Sequence, residues 1–447
     1  MNPVIGLLLV SLLARPLLAQ NQEPKGTGTV VLRAARLIDG TGAPPVANGV
    51  VVVTADRIVA VGREGGVSIP SGARRIDLGD ATLLPGFIDA HTHIIGRPLG
   101  DPGSEDQSVR DFDSFGAILG VANAQKTLMA GFTTIRNVGA GNVDDIALRK
   151  AINEGYVIGP RMQASAHSLG ITGGHCDENA FKPGLADGSP RTGIADGVDQ
   201  VRQAVRYQAK YGADVIKTCA TGGVLSEGDA VGVEQYSFEE LKAMVDEAAK
   251  LERKVAAHAH GAEGIKTATR AGVASIEHGS FLDAEGARLM ARRGTYLVPT
   301  LMAGEGVERA ARTGVLKGHR AEKALAAARA MRNGIRVART YNVPIALGTD
   351  AGVGAHGANG HEYTLLVEWG GFTPMRAIVA GAMNAAKLLG WETRIGSLTP
   401  GKLADIVAVP GDPMADIRVM ERPTFVMKNG VVYKDARQEG AARVVAR

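Results

Sequence analysis

Two histidines spaced two apart, His91 and His93, end an apolar run that begins at Leu83. On a strand that spacing turns both imidazoles to one face, and neutral imidazoles gathered at one point are nitrogen donors suited to a divalent metal. Taken alone, the pair is equally well explained as hydrogen-bonded histidines closing a strand. Further donors recur at the ends of other apolar runs: Lys217 in Asp214-Val215-Ile216-Lys217-Thr218, then His258 and His260, His278, and Asp350, with His167 ending one more. Histidines scattered over a surface would not collect in this way. Lys217 needs its own argument, because an ammonium has no lone pair with which to bind a cation. Buried beside a metal and imidazoles it should lose its proton. The neutral amine can then add CO2 to become a carbamate, a carboxylate on a long arm able to bridge two metals. For the lysine considered by itself, an ion pair with a strand-end acid is the simpler reading. Period two does not choose between His258 and His260, which point the same way.

Such donors must be delivered to one place by the elements that carry them. Apolar runs at 88–93, 133–138, 161–167, 214–218, 255–260, 274–278, 296–299 and 345–350 read as strands. Helical stretches lie between them, one opened by the capping box Ser237-x-x-Glu240 and another by Thr373-Pro374. Strands alternating with helices in this number predict an α/β protein, a (β/α)8 TIM barrel whose catalytic residues meet at the C-terminal strand ends. A doubly wound sheet would want a glycine-rich phosphate turn after its first strand, whereas Gly86 lies inside that strand with histidines following. Short β-branched runs before residue 77 and after residue 403, the last pair joined by Asn429-Gly430, have too few strands to bury both faces separately. They are expected to combine into one small β-sandwich. The resulting division is a signal peptide at 1–19, sandwich at 20–82, barrel at 83–392 and sandwich again at 393–447.

Composition excludes several classes. With 45% hydrophobic and 21% charged residues the 447-residue chain is globular, and 59 glycines against 4% aromatics imply many turns and close packing of small residues. The 50 basic and 46 acidic residues are interleaved, so no nucleic-acid partner is expected. Met1 to Ala19 has the outline of a secretory leader, although no Lys or Arg precedes its apolar core and Arg15-Pro16 interrupts it. Export to the periplasm or beyond is expected, or a cytoplasmic location if the leader is not a signal. No later run is long enough to span a membrane. Cys176 and Cys219 are too few for a disulfide scaffold, and spacing does not say whether they meet.

The whole pattern resembles the binuclear amidohydrolase superfamily, in its prolidase-like and imidazolonepropionase-like branch. The resemblance rests on Leu84-Pro85-Gly86-Phe87-Ile88-Asp89-Ala90-His91-Thr92-His93, Ile171-Thr172-Gly173-Gly174-His175, Ile216-Lys217-Thr218 with Thr221-Gly222-Gly223, His258, His278, Asp350 and the tail Gly396-Ser397-Leu398-x-Pro400-Gly401-Lys402-Leu403-Ala404-Asp405. It covers nearly the whole chain after the leader. It implies two divalent ions, zinc by the chemistry of the donors. His91, His93 and Asp350 would hold one and His258 and His278 the other, with a carboxylated Lys217 and a hydroxide bridging. Asp350 would act as general base and then as proton donor to the departing nitrogen. His260 would face the substrate as a donor to the oxyanion, and His167 would do likewise from the third strand.

The branch also implies a small-molecule amide substrate with an amino-acid leaving group: a dipeptide, an N-acyl amino acid, or ochratoxin A giving ochratoxin alpha and phenylalanine. His175, His260 and Tyr236 are candidate donors to its carboxylate, and a homo-oligomer is expected. Relatives often carry Asp where this chain has Asn137, and Arg136 beside it reads as a structural ion-pair former. A lactonase or phosphotriesterase would use the same ligands. A mononuclear deaminase would lack the lysine, and a non-catalytic binding protein would have lost ligands.

Overall fold

The computed structural model describes residues 22–438 apart from Ala180, so the expected leader at 1–19 lies outside the described residues. Both ends of the described chain build one sheet. Its strands are β1 (Thr29–Leu37), β2 (Val46–Thr54), β3 (Arg57–Arg63), β4 (Arg74–Asp77) and β5 (Ala81–Pro85), with β13 (Ile406–Pro410), β14 (Phe425–Lys428) and β15 (Val431–Asp435) from the C-terminal side. The order is β15-β14-β13-β5-β1-β2-β3, with β4 also on β1. The valine run of β2 shows why the sheet can bury both faces: Val51 and Val53 join Leu32, Ile58, Leu83, Ile406 and Phe425 in one apolar cluster, while Val50 and Val52 join Val31 in another. The expected sandwich is thus a single eight-stranded sheet with an apolar layer on each side. Asn429 and Gly430 make its last hairpin turn, both with positive φ (50° and 76°), as Asn-Gly predicts.

β5 runs through Gly86 into the barrel. The barrel strands are β6 (Phe87–Thr92), β7 (Phe132–Asn137), β8 (Arg161–Ala164), β9 (Val215–Cys219), β10 (Lys254–Ala259), β11 (Ser275–His278) and β12 (Tyr296–Val298). They form two parallel sheets, β6-β7-β8 and β12-β11-β10-β9. Between β8 and β9 the sheets meet through Asp214 N to Ala164 O (2.8 Å) and Leu169 N to Lys217 O (2.8 Å). On the other side the expected eighth strand, 345–350, is not a regular strand. It is an extended segment bonded to both neighbours, by Ala346 N to Leu297 O (3.1 Å), Ala90 N to Leu347 O (2.8 Å) and Asp350 N to His91 O (2.8 Å). The TIM-barrel cycle closes through these bonds. The predicted third strand also stops short, at Ala164 rather than His167. The amides of Ser165 and Ala166 turn to the buried carboxylate of Asp145 (3.0 and 3.2 Å), and Ala166 takes a positive φ of 58°.

Local signals hold at the helices. Ser237 and Glu240 form the capping box, and the Thr373 hydroxyl accepts from Arg376 N with Pro374 next in the chain. Buried Arg161 fastens barrel to sheet, donating to Asp405 (2.5 Å) and Asn429 (2.5 Å). No helix among the described residues is long and apolar enough to cross a membrane.

Candidate active site

At the C-terminal ends of these strands two groups of metal-ligating side chains face each other. His91, His93 and Asp350 form one, and His258, His260 and His278 the other. Asp350 Oδ1 lies 3.5 Å from His91 Nε2 and 3.3 Å from His93 Nε2. The imidazoles of His91 and His278 are 5.0 Å apart, and those of His258 and His278 4.5 Å. His91 Nε2, His258 Nε2 and Asp350 Oδ1 are buried without a hydrogen-bond partner among the described residues. Buried polar atoms are normally paired, so orphaned lone pairs in both groups, at His91 Nε2 and Asp350 Oδ1 in one and at His258 Nε2 in the other, fit divalent cations.

Backbone geometry brings two of these residues in. β10 and β11 pair Ala259 with His278 and His258 with Glu277, so strict alternation would turn His278 away from the interior that Glu277 faces. A positive φ of 72° turns it back, and Asp350 has φ 58°. Left-handed conformations at non-glycine residues are strained and collect at functional sites.

Three of the site's imidazoles have a partner at Nδ1. His91 Nδ1 is bonded to Glu277 Oε2 (2.7 Å), His278 Nδ1 to Thr300 Oγ1 (2.7 Å) and His260 Nδ1 to Ser280 Oγ (2.6 Å). These contacts leave each Nε2 free to face the site, the arrangement that orients metal-binding imidazoles. Glu277 is in turn held by Arg136 Nη2 (2.8 Å), so Arg136 is the structural ion-pair former that the sequence suggested. Burial alone would raise the Glu277 pKa, but Arg136 and the His91 contact override it and hold the carboxyl down to about 2.

Burial, assisted by Lys217, lowers His91 to about 4, and burial keeps His258 and His278 well below the ordinary histidine value. All three are neutral donors at neutral pH. Lys217 is buried within electrostatic reach of His91, Glu277 and Asp350. Desolvation lowers it to about 8 against the pull of both acids, which makes the neutral amine accessible. For Asp350, burial is outweighed by His91 and His93, which keep it ionised.

The other candidates divide. His175 lies against the site, its ring 4.2 Å from that of His258 and its Nδ1 2.8 Å from Ser226 Oγ. A side chain at Gly223 would collide with that ring, so the Thr221-Gly222-Gly223 stretch is what admits it. His167 is not part of either metal-ligating group; its Nδ1 lies 3.2 Å from Gln208 Oε1. Tyr236 is buried and its hydroxyl donates to Ala195 O (3.0 Å), which leaves it no proton for a substrate carboxylate. That corrects its proposed donor role. Cys176 and Cys219, left open by the sequence, are joined in a disulfide with Cα atoms 5.9 Å apart, which ties the loop beyond His175 to the strand that carries Lys217.

Asn137 is explained by its partners. Its Oδ1 accepts from Ile94 N (2.7 Å) and its Nδ2 donates to Asp145 Oδ2 (3.1 Å), where an aspartate would meet like charge. Sequence reasoning missed Glu277, Thr300 and Ser280. Only Glu277 carried a signal, as a charged residue inside an apolar strand directly before a candidate ligand.

This barrel, with its donors at the strand ends, belongs to the amidohydrolase family, whose model matches residues 82–433. Among curated relatives, ochratoxinase of Aspergillus niger is 36% identical over 463 aligned residues, covering 97% of this chain and 91% of the relative. The solved A. niger ochratoxinase superposes with a TM-score of 0.81 at 32% identity, covering 92% of this chain and 96% of the other. A Xaa-Pro dipeptidase with methionine bound in its active site superposes with a TM-score of 0.86 at 38% identity, covering 91% and 100%. The protein is an amide-bond hydrolase of a family that binds divalent metals.

Proposed function

We propose that this hydrolase cleaves the amide bond to a C-terminal amino acid in dipeptides or N-acyl amino acids, ochratoxin A being one such amide. The observation that carries the reading is that two neighbouring groups of potential ligands each hold a buried lone pair with no partner among the described residues, at His91 Nε2 and Asp350 Oδ1 in one and at His258 Nε2 in the other. The similarity to an ochratoxinase and to a Xaa-Pro dipeptidase supports the substrate class, since the first name gives ochratoxin as a substrate and the second an amide to an amino-acid nitrogen.

In this reading His91, His93 and Asp350 would hold one zinc ion and His258 and His278 a second, and Lys217, as its carbamate, would supply a carboxylate to both. Bound there, the cations would supply an activated water at neutral pH and polarise the scissile carbonyl. The chain's own residues do the rest. Asp350, kept ionised beside His91 and His93, takes the proton from the attacking water and returns it to the leaving nitrogen, because an amine does not depart as an anion. His260, whose Nδ1 accepts from the Ser280 hydroxyl, presents its Nε2–H to the developing oxyanion. With Tyr236 committed to Ala195, His175 stays as the candidate contact to the substrate's amino-acid end on the side of His258.

Rates on an N-acyl amino acid and on its C-terminal amide test the assignment, since only the carboxylate is neutralised between them. A strong preference for the acid is expected. Equal rates, or faster turnover of lactones or phosphate esters, would replace it with one of those hydrolase readings. Export is part of the same proposal, supported by the apolar stretch before Gln20 and by the disulfide, which oxidising compartments favour. Assembly as a homo-oligomer is proposed with it, and light scattering on purified protein reads the mass.

A further inference from the structure

The helix Leu301–Arg312 starts at a residue suited to cap it that does not. A threonine at the N-cap ordinarily turns its hydroxyl back to an amide of the first turn. Thr300 sits at that position with φ 48° and ψ 48°, and its side chain makes no bond to the helix. Its Oγ1 is 2.7 Å from His278 Nδ1 instead. This left-handed conformation is unfavourable for a β-branched residue, so neighbouring structure must impose it. The exposed amides are taken by another element. Glu362, in the helix His361–Glu368, accepts from Leu301 N at one carboxylate oxygen (2.9 Å) and from Met302 N at the other (2.8 Å). Glu362 and Thr300 are both fully buried. Nothing in the chemistry above uses a carboxylate at this place.

We propose that Glu362 is a positioning residue for His278. By capping the helix in place of Thr300 it pins the left-handed turn and releases the threonine hydroxyl to His278. With Nε2 given to a metal, Nδ1 carries the proton and donates to that hydroxyl, so the direction of the Nε2 lone pair is set two hydrogen-bonded links away. The inference rests on the metal reading of the site and extends it to a residue on another helix.

The test is zinc binding to metal-stripped protein, by competition against a chelating indicator, so that no activity measurement is needed. Wild type should show two affinities, and His278→Ala should abolish one of them. Glu362→Gln keeps the shape but offers one acceptor where two are needed. It should weaken that same affinity about 10- to 100-fold and leave the other within twofold. Thr300→Val should do the same, and Thr300→Ser should restore binding. In a Thr300→Val background Glu362→Gln should add nothing, which a merely structural role would not produce. Equal weakening of both affinities, additive losses in the double variant, or unchanged affinities with only a lower Tm would overturn the proposal. Should Glu362→Gln fail to fold, Glu362→Asp, whose oxygens are drawn back from the amides, is read by the same criteria. A wild type that binds no zinc stoichiometrically overturns the metal reading itself, before any variant is compared.

Discussion

The two halves of the site orient their imidazoles by different means. His91 leans on a buried carboxylate, Glu277, whose charge is matched by Arg136; His278 and His260 lean on the neutral hydroxyls of Thr300 and Ser280. The three contacts have nearly the same length, so the difference lies in charge and not in geometry. A carboxylate behind an imidazole makes the opposite nitrogen a stronger donor. Asp350 adds a second negative group on the same side. On the proposed two-metal reading, the half around His91 would neutralise more of a cation's charge, and the half around His278 would aim donors while leaving more of that charge for a substrate carbonyl.

Removing Lys217, the proposed link between the halves, should have the largest effect. Lys217→Ala is expected to lose activity almost completely and to lose bound metal with it, as elemental analysis would show, and short carboxylic acids should restore part of both. Retention of two ions and most activity would separate the halves from the lysine. Asp350→Asn, on the carboxylate-backed side, should lower kcat by about 10²- to 10⁴-fold with little change in KM, provided metal content is checked in the same sample.

A smaller loss is expected from Glu277→Gln, about 10- to 100-fold in metal affinity on the His91 side alone. The same residue gives a pH test of the comparison. Its folded pKa of about 2 lies below the ordinary 4.5, so its contribution to stability is complete above about pH 4.5 and is lost as the pH falls toward 2. Acid unfolding of metal-stripped protein should be flatter through that window in the Gln variant, and unchanged in Ser280→Ala. Ser280→Ala should have the smallest effect, a few-fold in kcat, because a hydroxyl that orients His260 carries no charge to lose. A loss as large as that of Glu277→Gln would erase the distinction between the halves.

Much of this was legible because metal chemistry restricts residue type and strand geometry restricts spacing. His91 and His93 at the end of one apolar run, Lys217 inside another and the valine run of β2 each follow from the two-residue period. The period is also what concealed the rest. His278 obeys it only after a left-handed turn, and the third barrel strand ends early, at Ala164, because Asp145 on the preceding helix captures the amides of Ser165 and Ala166. The segment 345–350 carries the apolar pattern of a strand and makes the bonds of one only in part. Tyr236 stood in a loop suited to substrate contact, yet its donor role depended on whether a backbone carbonyl already faced it. Thr300 and Glu362 had no local signature at all, since each matters through an element remote in sequence.

The seam between the two ends of the chain bears on the order of events during synthesis. β13, from the far end, sits beside β5, which leads directly into the first ligand-bearing strand, and Gly26 N reaches Asn429 O (2.8 Å) across the same seam. Until β13 emerges, β5 presents an unpaired apolar edge next to the nascent metal site, the kind of edge that recruits other chains. The sheet can therefore be completed only after β13 has been made, by pairings of very long sequence separation that form slowly. A premature stop before β13 would leave that edge uncovered, an aggregation-prone fragment in place of a weakened enzyme.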